Sequence, residues 1–170
     1  MSVCVRPATA GDLDALLDVQ QEGAVAGLAH IFPQELYPFP RSEVRRRWAE
    51  ELDDPSTHVY ICVDGEGEVV GFAATQANEL LHFGTAVRTW GTGTAQQLHN
   101  ALLGELARTA PTESGHLRLR VFEANTRARR FYETLGWRAT AQRTRSTFAP
   151  YAVLVEYHRP RTAPHQSLET

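Results

Sequence analysis

The chain has 170 residues and 18.9 kDa, with 42% hydrophobic and 22% charged side chains, which fits one globular domain and argues against repeat arrays. Its 17 basic and 20 acidic residues give a formal charge of −3, too balanced for a protein dedicated to nucleic acids or membrane surfaces. Every basic residue is arginine, so a lysine Schiff base, a P-loop lysine and a lysine general base are excluded. We expect a small-molecule or protein partner, with no nucleic acid and no membrane.

The two cysteines, Cys4 and Cys62, could form at most one bridge, which is no disulfide framework. We therefore expect reduced thiols and a cytoplasmic protein. No stretch approaches the roughly 20 apolar residues of a spanning helix, and the first residues lack the basic and apolar regions of a signal peptide. No metal cluster is evident, so no metal is predicted.

Hydrophobic spacing predicts, in chain order, a strand, two helices, three strands, a helix, a strand, a helix and two strands. Thr9 and Asp12 form a loose capping box before the first helix, and Ser42 is predicted to cap the second. The approximate bounds of the elements are 3–6, 10–22, 42–52, 59–63, 69–76, 79–87, 94–108, 117–122, 125–135, 137–147 and 151–158. These predict one α/β (α+β) domain over 1–158 and a flexible tail over 159–170.

Residues 24–40 carry three prolines among several large apolar side chains. The segment is too apolar for an idle linker and too proline-rich for one regular helix. We interpret it as a binding or lid segment. The triplet Arg45, Arg46 and Arg47 is interpreted as a solvated helix face, because consecutive helical positions diverge.

Residues 90–95, here called the glycine turn, join a predicted strand to a predicted helix. Tiny side chains expose backbone N–H groups, and the first amides of a helix lack partners within it, so the turn can bind a pyrophosphate without any lysine. Taken alone, a Gly-x-Gly turn is weak evidence. The turn consists of Trp90, Gly91, Thr92, Gly93, Thr94 and Ala95.

The segment from Asn125 to Trp137 follows a strand and reads Asn-Thr-Arg-Ala-Arg-Arg-Phe-Tyr-Glu-Thr-Leu-Gly-Trp. With the glycine turn about thirty residues earlier, it resembles the Gcn5-related N-acetyltransferase (GNAT) superfamily. That family's motifs are Gln/Arg-x-x-Gly-x-Gly/Ala and Asn-x-x-Ala-x-x-Phe/Leu-Tyr-x-x-x-Gly-Phe/Trp. The resemblance implies a central, largely antiparallel mixed sheet of six to seven strands with about four helices and a splayed strand pair that binds acyl-CoA.

Two registers fit the first motif. We prefer the register beginning at Trp90 over the one beginning at Arg88, because it places Leu98 and Leu102 on the buried face of the helix. The alternative would place Gln96 and Gln97 there. The preferred register puts Trp90 where the family has Gln or Arg, which removes a side-chain donor and leaves the backbone groups intact.

The resemblance assigns roles to residues of both motifs. Tyr132 falls on the tyrosine position that protonates the departing thiolate, with a plain core aromatic as the alternative. Backbone groups near Thr85 to Val87 would bind the pantetheine arm and polarise the thioester. The cofactor, acetyl-CoA, is expected to contact Thr85, Ala86, Val87, Trp90, Gly91, Thr92, Gly93, Thr94, Ala95, Asn125, Ala128 and Arg129.

Arg127, Arg129 and Arg130 crowd the first turns of the last helix, where the helix dipole disfavours cations. Contact with phosphates of coenzyme A is one interpretation. Solvent exposure, with Glu133 pairing with Arg129, is the other.

The nucleophile must be a neutral amine, so a base or a water chain has to remove its proton. Glu79 lies at the start of the splayed strand, where family members often place a glutamate. His82 is the competing choice, since its ordinary pKa of about 6.5 suits the task. Glu123 or water alone remain open.

We expect an acetyl-CoA-dependent N-acetyltransferase that acts on a primary amine of a small molecule by direct attack, as a monomer or homodimer. The alternatives are a protein or peptide N-acetyltransferase and a catalytically silent acyl-CoA sensor. Cys62 is a poor nucleophile, because a central apolar strand raises the pKa of a thiol. Residues 24–40 and 145–151 are expected to face each other across the amine site and to disfavour a polycationic acceptor.

Overall fold

The structure, a computed structural model, describes residues 2–161. Seven strands form one sheet in the order β1-β2-β3-β4-β5-β7-β6. Neighbouring strands are antiparallel except β4 and β5, which are parallel. The strands are β1 (Cys4–Pro7), β2 (Thr57–Val63), β3 (Val69–Gln76), β4 (Glu79–Thr85), β5 (His116–Phe122), β6 (Arg138–Arg145) and β7 (Val153–Pro160). This is the predicted mixed, largely antiparallel sheet.

Four α-helices cover the sheet: α1 (Leu13–Gly27), α2 (Arg41–Asp53), α3 (Thr94–Thr109) and α4 (Thr126–Thr134). Trp48 of α2 packs edge-on against Phe72 of β3, with ring centroids 5.8 Å apart. A Cβ on the neighbouring Gly71 would lie 3.2 Å from Leu98 of α3. Because adjacent strand residues face opposite sides, α2 and α3 lie on opposite faces of the sheet.

Some predicted bounds are wrong. Asp12 accepts the Thr9 N–H at 2.8 Å, as the capping box predicts, but a 3-10 turn comes first and α1 then runs to Gly27, well past Glu22. The first turn of α2 begins at Arg41, so Ser42 lies inside the helix and is not its cap. β7 reaches Pro160, two residues into the predicted tail, and residues 162–170 of that tail lie outside the described residues.

The pairing between β4 and β5 is short. It comprises only Glu79 with Arg118 and Leu80 with Leu119. On the other edge of β4, the register with β3 shifts between Ala74 and Thr75, a bulge that increases local twist. Beyond Leu80 and Leu119 the strands β4 and β5 part, which confirms the predicted splayed strand pair.

Both cysteines are free, Cys4 exposed and Cys62 buried. Burial raises the pKa of the Cys62 thiol to about 11, so little thiolate exists near neutral pH. Within residues 2–161, no helix has both the length and the apolar character needed to cross a bilayer.

Candidate active site

A cavity of about 870 Å³ opens where β4 and β5 part. The strands contribute Leu80–Thr85 and Leu119–Phe122 to its walls. At one end, here called the α3 end, it is closed by the glycine turn and the start of α4. At the other, the α2 end, it is closed by α1, α2 and the segment after β6.

The α3 end presents backbone N–H groups. Gly91 and Gly93 adopt φ of +80° and +89°, and a Cβ on either would meet nothing within 4 Å, so the approach to the turn is open. Among the described residues, no acceptor faces the N–H groups of Ala95 and Gln96, which line the cavity in the first turn of α3. With the positive end of the helix dipole, these groups form a site for an anion such as a diphosphate.

The burial of α3 agrees with the preferred register of the motif. Leu98 and Leu102 are buried, while Gln96 and Gln97 are exposed. Arg88, which the other register would use, pairs instead with Asp64 at 3.3 Å and lies outside the cavity.

Trp90 replaces the family's Gln or Arg, yet a guanidinium still occupies this part of the cavity. Arg127 of α4 lies over the Trp90 ring, 3.3 Å from its centroid, and both residues line the cavity. The indole Nε1 donates to the Thr85 carbonyl at 3.1 Å. Among the described residues Arg127 has no ion-pair partner, so its charge is available to an anion.

Tyr132 of α4 lies in the cavity wall, packed edge-on against Phe83 with ring centroids 6.1 Å apart. It is buried, and burial raises the pKa of its phenol, which therefore stays protonated at neutral pH. No described residue hydrogen-bonds to its hydroxyl group. Asn125 and Ala128 also line the cavity, where the Asn125 Oδ1 accepts the Ala128 N–H at 3.2 Å and caps α4.

His82 lies at the α2 end with a partner that the sequence did not reveal. Its Nε2 is 2.8 Å from Glu51 Oε1, and both residues line the cavity. Trp48 packs on the imidazole at 4.7 Å between ring centroids and donates its own indole N–H to Gln20 at 2.8 Å. Glu51 lies three positions after the buried Trp48 on α2, so the two residues share one face of the helix. This spacing is the sequence signal that could have identified Glu51.

Glu79 is not brought to the cavity. It is 4% exposed and lies in the paired part of β4, where Arg118 Nη2 and Arg120 Nε each donate to one carboxylate oxygen at 3.0 Å. The sequence alone did not show which part of β4 pairs with β5 and which part borders the cavity. The geometry therefore favours His82 over Glu79 as the base. Glu123 pairs with Arg143 at 3.1 Å and does not line the cavity either.

Of the predicted cofactor contacts, five do not line the cavity: Ala86, Val87, Thr92, Thr94 and Arg129. The Ala86 N–H donates to Val70 at 2.8 Å, and the Val87 carbonyl accepts the Trp90 N–H at 3.1 Å. Both residues thus make contacts within the protein.

The side chains of the other three are also engaged. Thr92 bonds to Thr94, which is buried. Arg129 donates to the Tyr157 hydroxyl at 2.8 Å and does not pair directly with Glu133, which instead accepts from Tyr157 at 2.7 Å.

The predicted lid segment contributes only its first part to the cavity, through Ala24, Gly27 and Leu28. Further along the segment, His30 Nε2 lies 2.8 Å from the Ala124 carbonyl, just after β5. Phe32 packs edge-on against Phe122, the last residue of β5. Arg145, Ser146, Thr147 and Phe148 line the cavity at the α2 end. A Cβ on Gly27 would lie 3.3 Å from the Trp90 ring, so this part of the lid segment lies near the α3 end. That the two segments face each other across the amine site stays a prediction.

Comparison with known proteins agrees with this architecture. The model of the Acetyltransferase (GNAT) domain family matches residues 19–151, most of the chain. The chain belongs to the GNAT acetyltransferase family. As a member of that family it is an acyltransferase. No curated protein sequence matches this GNAT protein.

Solved structures share the fold at low identity. A GCN5-related N-acetyltransferase from Rhodopseudomonas palustris has a TM-score of 0.78 at 16% identity, covering 94% of this chain and 96% of the other. A spermidine N-acetyltransferase chimera from Vibrio cholerae and hSSAT has a TM-score of 0.70 at 17% identity, covering 95% of this chain and 96% of the other. The ribosomal-protein-S18-alanine N-acetyltransferase of Escherichia coli has a TM-score of 0.67 at 19% identity, covering 99% and 100%.

Proposed function

We propose that this GNAT protein transfers an acetyl group from acetyl-CoA to a primary amine of a small molecule, by direct attack in a ternary complex. The observation that carries the proposal is the arrangement of one cavity with open amides at its α3 end and a histidine–carboxylate pair at its α2 end. The protonated Tyr132 lines the wall of the same cavity. Bound acetyl-CoA would supply the thioester that the amine attacks.

The α3 end fits the diphosphate of coenzyme A. The N–H groups of Ala95 and Gln96 can donate to phosphate oxygens, and the glycines keep that approach free of side chains. Arg127, stacked on Trp90, adds a cation near the position where the family motif has Gln or Arg and this chain has Trp90.

At the α2 end, His82 can take the proton of the incoming ammonium. Glu51 accepts a hydrogen bond from Nε2–H, which holds the neutral ring in the tautomer whose Nδ1 lone pair is free. The amine nitrogen then forms the new C–N bond, the C–S bond breaks, and Tyr132 donates its proton to the departing thiolate. The acylated nitrogen releases its remaining extra proton, which restores the Tyr132 phenol. No acyl-enzyme is needed, and the raised pKa of Cys62 argues against one.

The proposal is tested by release of the coenzyme A thiol from acetyl-CoA against a panel of amines, with mass spectrometry of the products. The panel includes amino acids, aromatic amines, polyamines and short peptides. We expect thiol release and an N-acetylated small amine. Turnover of peptides alone would assign a protein or peptide acetyltransferase. Acetyl-CoA binding by calorimetry without thiol release on any amine would assign a sensor.

A further inference from the structure

The α2 end of the cavity carries more positive than negative charge. Arg47 of α2 and Arg145 at the end of β6 both line it. Glu51 is the carboxylate among the lining residues, and one of its oxygens is already bonded to His82. An acceptor with a second cation would therefore meet two guanidinium groups there.

The two arginines differ in how far their charges are compensated. Arg47 is 3.4 Å from Glu43, an exposed carboxylate one turn earlier on α2 and outside the cavity. Arg145 donates to the Tyr151 carbonyl at 3.2 Å and has no ion-pair partner within the described residues. Water screens the exposed Arg47 pair, so both guanidinium groups can bind an anion.

The arrangement at Arg47 is ordered. Its guanidinium lies over the Phe148 ring, 4.0 Å from the centroid, and Nη1 donates to Thr147 Oγ1 at 3.0 Å. These contacts tie α2 to the segment after β6. A side chain held in this way loses less conformational entropy when a ligand binds.

Glu51 supplies the complementary charge beside them. Its Oε2 is buried and has no hydrogen-bond partner among the described residues, although its Oε1 bonds to His82. An unsatisfied buried carboxylate oxygen is costly. An ammonium group next to His82 would satisfy it at the position where the acceptor must lose its proton.

We propose that the acceptor is a zwitterionic, amino-acid-like amine, whose ammonium group lies at Glu51 and His82 and whose carboxylate lies at Arg47 and Arg145. This inference rests on the proposed function and narrows its substrate class. It excludes polyamines as preferred acceptors, and it distinguishes a free amino acid from its carboxamide, which lacks the carboxylate.

The test uses matched triplets in the thiol-release assay: α-amino acids, their carboxamides and the corresponding decarboxylated amines. For the wild-type protein we expect the amino acid of at least one triplet to exceed both analogues by about tenfold or more in kcat/KM. Arg145→Gln and Arg47→Gln should each raise KM for that amino acid by about tenfold and leave KM for the decarboxylated amine within about twofold. The control Arg46→Gln removes a charge from an exposed pair with Glu50 on the same helix and should change neither.

The affinity for acetyl-CoA, measured by calorimetry, should stay unchanged in all three variants and shows that they fold. Equal or better turnover of decarboxylated amines or polyamines by the wild-type protein would overturn the inference and leave the proposed function intact. Equal KM changes in the arginine variants for acceptors with and without a carboxylate would overturn it as well. Absence of thiol release with every amine would overturn the proposed function, and this inference with it.

Discussion

The two ends of the cavity are built in different ways. At the α3 end the groups that we assign to ligand binding are mostly backbone amides from a few consecutive residues after Trp90. At the α2 end they are side chains from separate elements: Glu51 of α2, His82 of β4 and Arg145 of β6. Backbone groups suit a ligand that stays the same, whereas side chains can change with the acceptor. Under the proposed function, we therefore expect the α3 end to bind the cofactor that the family shares and the α2 end to determine which acceptor is used.

The largest expected effect comes from Gly93→Glu at the α3 end. The side chain would be strained at φ +89° and would place a carboxylate among the N–H groups that we assign to the diphosphate. Binding of acetyl-CoA should be lost in calorimetry. Gly67→Glu is the matched control, because Gly67 has φ +85° and equally open surroundings in the turn between β2 and β3. Retained binding by the Gly93 variant would break the assignment of this end.

Tyr132→Phe tests the proposed proton donor, which lies in the cavity wall between the two ends. Without the hydroxyl the thiolate loses its proton donor, so kcat should fall within the roughly 10² to 10⁴ range of general acid catalysis. The affinity for acetyl-CoA should change little. Tyr60→Phe removes another buried tyrosine hydroxyl, which bonds to Glu105 outside the cavity, and should leave kcat unchanged. Normal turnover by the Tyr132 variant would remove its catalytic role.

His82→Gln and Glu51→Gln test the base at the α2 end. We expect kcat/KM at pH 7 to fall by about 10² for the first and by less for the second, because the Glu51 variant keeps the imidazole that accepts the proton. Both defects should shrink as the pH rises, since the amine then arrives without its extra proton. His58→Gln, an exposed position on β2, is the control. A defect independent of pH would contradict the role of a base.

Arg127→Gln sharpens the comparison at the α3 end, where a side chain supplements the backbone. Loss of a charge-assisted contact should weaken acetyl-CoA binding by about tenfold and reduce its dependence on salt. The exposed Arg130 on the same helix, which does not line the cavity, provides the control Arg130→Gln. Unchanged affinity in the Arg127 variant would show that the amides suffice.

His99 is expected to make the stability of the fold depend on pH, separately from any effect of pH on catalysis at the α2 end. It is buried in α3, its Nε2 accepts the Trp137 indole N–H at 2.9 Å, and burial lowers its pKa below 6.5. The unfolded chain therefore binds a proton that the folded chain does not, and the His99 contribution to stability is full above pH 6.5 and declines below it. The contribution should decline by at most about 1.4 kcal/mol per pH unit.

The measurement for His99 is denaturant unfolding between pH 7.5 and pH 5. We expect His99→Gln to show a shallower decline in the free energy of unfolding than the wild-type protein. Identical slopes would contradict the assignment. A loss of activity between pH 7.5 and pH 5 while the protein stays folded would be attributed to the groups at the α2 end.

The sequence predicted the α3 end better than the α2 end for a physical reason. The glycine turn and the start of α4 are continuous segments whose local conformation follows from glycine and capping residues, so Gly93 and Asn125 could be located without the fold. Glu51 and Arg47 reach the cavity only because α2 packs beside β4, which no local pattern encodes. Glu79 illustrates the same limit, since its place at the start of the splayed strand was predicted and its pairing with two arginines was not.

A crystal structure of the complex with acetyl-CoA tests the division of the cavity most directly. We predict diphosphate oxygens within about 3 Å of the amide nitrogens at the glycine turn and the start of α3, and a thioester carbonyl between Tyr132 and His82. A diphosphate bound away from Gly91 and Gly93, or a thioester out of reach of Tyr132, would contradict it.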